Sequence, residues 1–477
     1  MLRYCPIAVI LLLTYHCIGQ KVTVSKEVSV RNDVGYEIFG DISDHILLLR
    51  DEGTNYTVEV FDSELKYKLS REIQLDDRRD LLLTNLRDDT SFTMLYTHKL
   101  AEGDEIRMRR YDYKADLIDS TALDTLVRRP GLDGLRVTVS EDQGKVCFFA
   151  REKREVLHLH VHDATVDSLP LLWKKTIYFK DYNLRRDFRK ILVTDAGEVI
   201  VIVESDDDVK PEHHLSVALV GQVNDFYTKI YYDRVFSVGL EAKYDNRNDR
   251  LLILGLYNDQ NKEHADGYYF YNRALSNMGS GDGTFAQVPF GLDFIAEVYG
   301  KRVGRIKQLE YFSLKDVLIR EDGGFAFFAE MNKTYSRRSA FGATQFGANS
   351  YGRGWTDYYN EDLVSIAVHP DGEEHWRTIL YKKQFSQDDR GMYSSYCLFK
   401  TPSRLKILYN DEIKKNNTVS AYVMDPLGQY NRRSVLSTEY QKLKLRFRDA
   451  IQISNTALLV PSEKSLDLSL VKIDWGV

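Results

Sequence analysis

The chain has 477 residues, of which 43% are hydrophobic, 12% aromatic and 29% charged, with a formal net charge of −6 at pH 7. Those values exclude a disordered chain, a collagen-like chain and a multi-span membrane protein. A mildly acidic chain without a basic run also excludes nucleic acid as the main partner.

Residues 1–20 read MLRYCPIAVILLLTYHCIGQ. Arg3 precedes an apolar run from Ile7 to Leu13, and a polar end with small Gly19 follows. That is the layout of a secretory signal peptide, with cleavage expected after Gly19 and Gln20 as the new N-terminus. The run is too short for a membrane span, which needs about 20 apolar residues, and no later segment is long and apolar enough. A lipoprotein anchor at Cys17 wants small residues just before it, but Tyr15 and His16 stand there. Cleavage leaves Cys147 and Cys397, both in apolar strand-like runs and read as buried, unpaired thiols.

The body shows no sharp sequence repeat but a repeated layout. Short alternating or apolar runs recur every ten or so positions, separated by polar turns. Tyr (31) and Phe (22) are plentiful and Pro (9) is scarce, which favours strands. Read as four-strand groups, the first holds YEIFGDI, HILLLRDE, YTVEVFD and KYKLSREI. The second holds DLLLTNLRDD, SFTMLYTHKL, EIRMRRYDY and a weak fourth strand near Leu123. Five more groups start at about LRVTVSED, KILVTDAG, FSVGLEAKYD, SLKDVLIRED and SSYCLFK. The last has three runs only, LRFRDAIQIS, TALLVPSE and LSLVKIDW, while the N-terminal KVTVSKEVSV has no group of its own. An orphan first strand and a last group short of one strand predict a closed ring. The expectation is an all-β chain, with residues 20–477 forming one β-propeller. Eight blades are read, and merging weak groups gives seven. A two-sheet sandwich array is the alternative, but it wants Pro-, Gly- or Ser-rich linkers and none stands out.

Three insertions decorate the ring, at about 205–214, 275–308 and 332–360. Leu292, Ile295, Ala296 and Val298 in the second have helical spacing. The third, read as a long loop, carries Tyr335, Arg337, Arg338, Phe341, Phe346, Tyr351, Arg353, Trp355, Tyr358 and Tyr359. Aromatics and Arg dominate interface hot spots, so these ten are the candidate partner-binding residues. A structural cap over the ring and a carbohydrate site are the other readings of the same loop.

Tests for chemistry are mostly negative. His158, His160 and His162 alternate along one strand, so their imidazoles share a face, with successive Cα atoms about 6.5–7 Å apart. They are weak candidates for zinc; the competing reading is the polar, solvent-facing side of a half-buried sheet. There is no GxSxG elbow, HExxH, P-loop or EF-hand. No catalytic residue and no cofactor is assigned, and the reading leans away from an enzyme.

The second half carries a resemblance. GGFAFFAEMNKTYSRRS, a Gly/Tyr-rich stretch, and then DYYNEDLVSIAVHPDGEEHWRTILYKKQFSQDDRGMYSSYCLF are followed by the ending SLDLSLVKIDW. Over about 230–476 this resembles uncharacterised secreted β-propeller-like proteins of Bacteroidota. Gln384, Asp388, Asp389, Ser395 and Tyr396 belong to the shared pattern. The resemblance implies a cell-envelope propeller, periplasmic or surface-exposed, and brings no catalytic residues. The expected function is a non-enzymatic interaction module of an envelope complex, with other envelope proteins as partners. A carbohydrate-binding or glycan-processing propeller is the alternative.

Overall fold

The computed structural model describes residues 20–476 except 206–211, 234, 260–263, 278–284, 301–305, 339–353, 412, 414–417 and 437–441. The expected signal peptide therefore lies outside the described residues.

Antiparallel meanders build eight blades. They span 35–73, 81–127, 136–178, 188–233, 236–289, 312–380, 396–434 and, for the last, 451–474. In each, the first strand is innermost and the fourth outermost. The orphan N-terminal strand Lys21–Val24 pairs antiparallel with Asp467–Asp474, the third strand of blade 8, and so supplies its missing outer strand. Ser25 locks this closure: its N–H donates to the Leu470 carbonyl (2.9 Å) and its hydroxyl oxygen accepts from the Leu470 N–H (2.9 Å).

The cores settle the blade count. The buried hydrophobics fall into eight clusters, one between each neighbouring pair of blades. The decisive one joins Ile38, Ile46, Leu48 and Phe61 of blade 1 to Leu459, Leu468 and Leu470 of blade 8. Each fully buried side chain of this size stabilises by roughly 1.5–3 kcal/mol. Alternation makes the arrangement work, because the two faces of every middle strand feed two different clusters. In blade 3, Phe148 and Ala150 face blade 2, while Cys147 and Phe149 face blade 4.

Turns between first and second strands use aspartate to satisfy the backbone. Asp142 accepts from the Gly144 N–H (2.7 Å) and Asp322 from the Gly324 N–H (3.0 Å). These turns mark one rim of the ring, the turn face. Loops between second and third strands, and blade-to-blade connectors, emerge on the opposite rim, the loop face.

The helix forms as α1, Leu292–Tyr299, in the connector from blade 5 to blade 6. Its inward face is Phe294, Ile295 and Val298, while Leu292 is 63% exposed at the first turn. A small sheet of His264–Ala265 with Leu309–Glu310 pins the same connector. Both remaining cysteines are free; Cys147 is buried and Cys397 partly so.

Candidate functional site

The loop face carries one large feature. In blade 6 the second strand, Phe325–Arg338, has 14 residues and the third, Gly354–Val368, has 15. Pairing continues from Phe325↔Val368 out to Arg338↔Gly354, past the end of the neighbouring strands. The expected loop over 332–360 is therefore, at both described ends, a β-hairpin arm; its tip lies outside the described residues. Alternation missed it because the aromatic and charged residues that extend the strands run into Gly-rich sequence.

A fifth strand, Gln384–Gln387, stitches onto the arm by pairing with Asp357–Asn360. Tyr359 packs between Tyr335 (5.9 Å, edge-on) and Phe385 (4.9 Å). Arg337 pairs with buried Asp357 at 2.8 Å, and the Gln387 amide donates to the same carboxylate (2.9 Å). Tyr335 remains 44% exposed. Trp355 and Tyr358 are half-buried. Of the ten candidate residues, Phe341, Phe346, Tyr351, Arg353 and the Arg338 side chain lie outside the described set.

At the arm's base is a buried polar network that the sequence reading did not find. Alternation puts Glu330 on the face of Phe328, toward blade 7, where it is fully enclosed just before a register shift at Asn332. Its carboxylate meets the Lys382 ammonium at 2.5 Å and accepts from Ser395 Oγ (2.8 Å) and Asn360 Nδ2 (3.1 Å). Lys382 also donates to Gln384 Oε1 (2.9 Å) and to the Asn360 carbonyl (3.1 Å). Gln384 in turn donates to the carbonyls of Ser395 (3.1 Å) and Asn410 (2.9 Å). Burial pushes the Lys382 ammonium below its usual range, and Glu330 opposes that shift. The network ties the arm, the stitching strand and blade 7 into one unit. The available signal was a glutamate inside the apolar run GFAFFAEM.

The inner strands enclose two cavities, of about 620 and 690 Å³. The larger is lined by Glu141, Lys190, Glu241, Lys243 and Lys400 among others. Lys190 pairs with Glu241 at 2.8 Å. Lys243 is reached by solvent in the channel, yet the surrounding walls and then Lys400 hold its ammonium below the ordinary value. On the turn face, Asp142 and Asp195 sit in adjacent turns. Against the cost of burial, the Ser140 hydroxyl and the Gly144 N–H lower Asp142; burial and the Asp142 charge raise Asp195. Both carboxyls are held by turn hydrogen bonds, Asp142 by Ser140 Oγ (2.6 Å) and Asp195 by the Asp142 N–H (3.4 Å).

The histidine strand, Val156–Asp163, is the third of blade 3. The three imidazoles share a face, but that face turns into the wedge against blade 2 and not to solvent. His158 is 7% exposed and His162 fully buried. Each has its own partners. His158 bridges Glu152 (2.9 Å) and Thr176 Oγ1 (3.0 Å), His160 Nδ1 meets Asp124 (2.6 Å), and His162 Nδ1 donates to the Leu169 carbonyl (2.9 Å). Burial lowers both His160 and His162, against Asp124 in the one case and the Leu169 carbonyl in the other. The histidines do not converge on one point among the described residues. The described group whose donor atoms do converge is Asp76, Asp80 and His98 on the loop face. There Asp76 is already neutralised by Arg107 (2.7 Å) and Arg109.

No protein-family model matches the chain, and no curated protein does. Solved structures do resemble it. One is the β-propeller domain of the trilobed protease from Pyrococcus furiosus, at 9% identity and TM-score 0.36, covering 86% of this chain and 98% of that one. Another is prolyl oligopeptidase B from Galerina marginata, at 8% identity and TM-score 0.40, covering 91% of this chain and 56% of that one. A third is the Nup133 β-propeller domain of Vanderwaltozyma polyspora, at 8% identity and TM-score 0.36, covering 83% of this chain and 99% of that one.

Proposed function

We propose that this β-propeller is a non-enzymatic interaction module that docks a protein partner through the blade 6 arm. The observation that carries the reading is the arm itself. Two strands of 14 and 15 residues run beyond the ring, and a fifth strand braces them. A pre-organised arm carrying Tyr, Trp and Arg lowers the ordering cost of binding. The apolar run Ile7–Leu13 and the Bacteroidota-like second half support export and a place in a cell-envelope assembly.

The test compares the full protein with a variant in which 337–355 is replaced by Asn-Gly. Ser336 pairs with Thr356, so a two-residue turn closes the shortened hairpin and keeps the bracing strand. Tagged proteins are used to purify partners from gently solubilised cell envelope. The expected result is a stoichiometric protein retained by the full chain and lost from the variant, whose ring remains folded by circular dichroism. Equal retention by both removes the arm as the docking element. A solitary protein that binds a glycan array moves the function to carbohydrate recognition.

A further inference from the structure

The wedge between blades 2 and 3 differs from an ordinary interblade core. A pocket of about 290 Å³ opens in it, lined by Thr125, Leu126, Val127, Arg129, Leu132, His158, His160, Lys174, Lys175 and Thr176. Strand pairing sets the polar wall: His158 lies opposite Thr176 and His160 opposite Lys174, all on one face of the sheet. Lys175 points the other way and pairs with Asp225 of blade 4 at 2.9 Å. The wall thus presents two imidazoles and two fixed cations.

Two carboxylates pair with this wall without lining the pocket, Glu152 from blade 3 and Asp124 from the outer strand of blade 2 across the wedge. Glu152 receives His158 (2.9 Å) and Arg129 (3.4 Å); Asp124 receives His160 (2.6 Å) and lies 3.9 Å from the Lys174 ammonium. Asp124 therefore fixes the His160 tautomer with the proton on Nδ1. Among the described residues Nε2 of His160 has no hydrogen-bond partner. With neutral imidazoles, Arg129 and Lys174 balance Glu152 and Asp124. Protonating His160 makes the wall net positive, with Nε2–H as a new donor.

We propose that this pocket binds an oxyanion, a sulfate or phosphate ester on a small organic body, and that His160 takes up a proton as it binds. Arg129 and Lys174 supply charge from two sides, and Leu126, Val127 and Leu132 receive the apolar body. A tetrahedral oxyanion suits donors that approach from several directions. The charged and titratable groups around His160 are Asp124, Lys174, Arg129, Glu152, His158 and His162, so their balance sets the pH dependence. Burial holds the ring below its ordinary value, against the pull of Asp124, so proton uptake is a measurable part of binding.

Calorimetry with sulfate, inorganic phosphate and phenyl phosphate tests this, in two buffers of different ionisation enthalpy at pH 7. Sulfate does not titrate there, so any proton taken up belongs to the protein. The expectation is millimolar sulfate binding with net proton uptake, and tighter binding of phenyl phosphate than of phosphate. His160→Gln should weaken binding about tenfold and abolish uptake, while Lys174→Gln weakens it and keeps uptake. Imidazole NMR of the unmodified protein gives a second readout, in which sulfate should move His160 towards the protonated form. No binding at about 50 mM of any probe overturns the proposal. So does binding that His160→Gln leaves unchanged. Equal affinity for phosphate and phenyl phosphate overturns the organic ester, and tight zinc binding at these imidazoles replaces the oxyanion with a metal.

Discussion

Replacing Lys382 by Met leaves Glu330 fully enclosed, with Ser395 and Asn360 as hydrogen-bond donors and the Lys315 ammonium no closer than 4.0 Å. Breaking a buried ion pair by removing one partner costs about 3–5 kcal/mol. A second route bounds the figure. The stranded carboxyl can take a proton, and from an ordinary glutamate value of about 4.3 that costs roughly 3.7 kcal/mol at pH 7, at about 1.4 kcal/mol per pH unit. The expected loss is therefore about 3–4 kcal/mol at pH 7, falling towards about 1 kcal/mol at pH 5. The sign follows from linkage: in the variant the folded state holds a proton that the unfolded state has released, so its stability falls as pH rises. Urea denaturation at both pH values measures this, with the fluorescence of the four tryptophans as the signal. The double variant Lys382→Met with Glu330→Gln, which removes both charges, should recover more than half the loss. A loss under about 1 kcal/mol at pH 7 would refute the reasoning, as would one that does not shrink at pH 5.

Burial lowers His162, so the unfolded chain binds more protons there, and stability should fall as pH drops below about 6.5. His162→Leu should flatten that acid limb in melting temperature between pH 7 and 5; an unchanged limb speaks against the assignment. Gly428 has φ +78°, and a Cβ there would stand 2.5 Å from Trp376 Cδ2. Gly428→Ala should cost about 1–3 kcal/mol and lower the melting temperature, whereas a neutral result would mean the turn relaxes freely.

Blades were legible wherever apolar alternation and an Asp-Gly type turn coincide, as around Asp142 and Asp322. The outer strand of blade 2, Leu117–Val127, is mostly exposed and carries two register shifts, so its pattern is weak. The first strand of blade 8 is only Ile451–Gln452. Alternation correctly put His158, His160 and His162 on one face. Which side that face meets is decided by Asp124, 36 residues from His160 in another blade, and no local pattern carries it. The buried network is similar: Glu330 stands out as a charge in an apolar run, but its partners Lys382 and Ser395 come from a connector. The candidate partner-binding residues followed composition, and only their described half can be placed on the arm.

The pairing of Lys21–Val24 with Val471–Asp474 also sets a timetable. Seven blades can form in order as the chain emerges, each from residues close in sequence. The seam cannot, because Ser25 must wait for Leu470, 445 residues later. Until then Val471–Asp474 lacks its outer neighbour, and the apolar face of Ile38, Ile46 and Leu48 has nothing to pack against. A ring sealed this way is slow to finish, and it exposes its most adhesive surfaces last. Completion of the whole molecule therefore comes down to one event, the arrival of the first strand at the final blade.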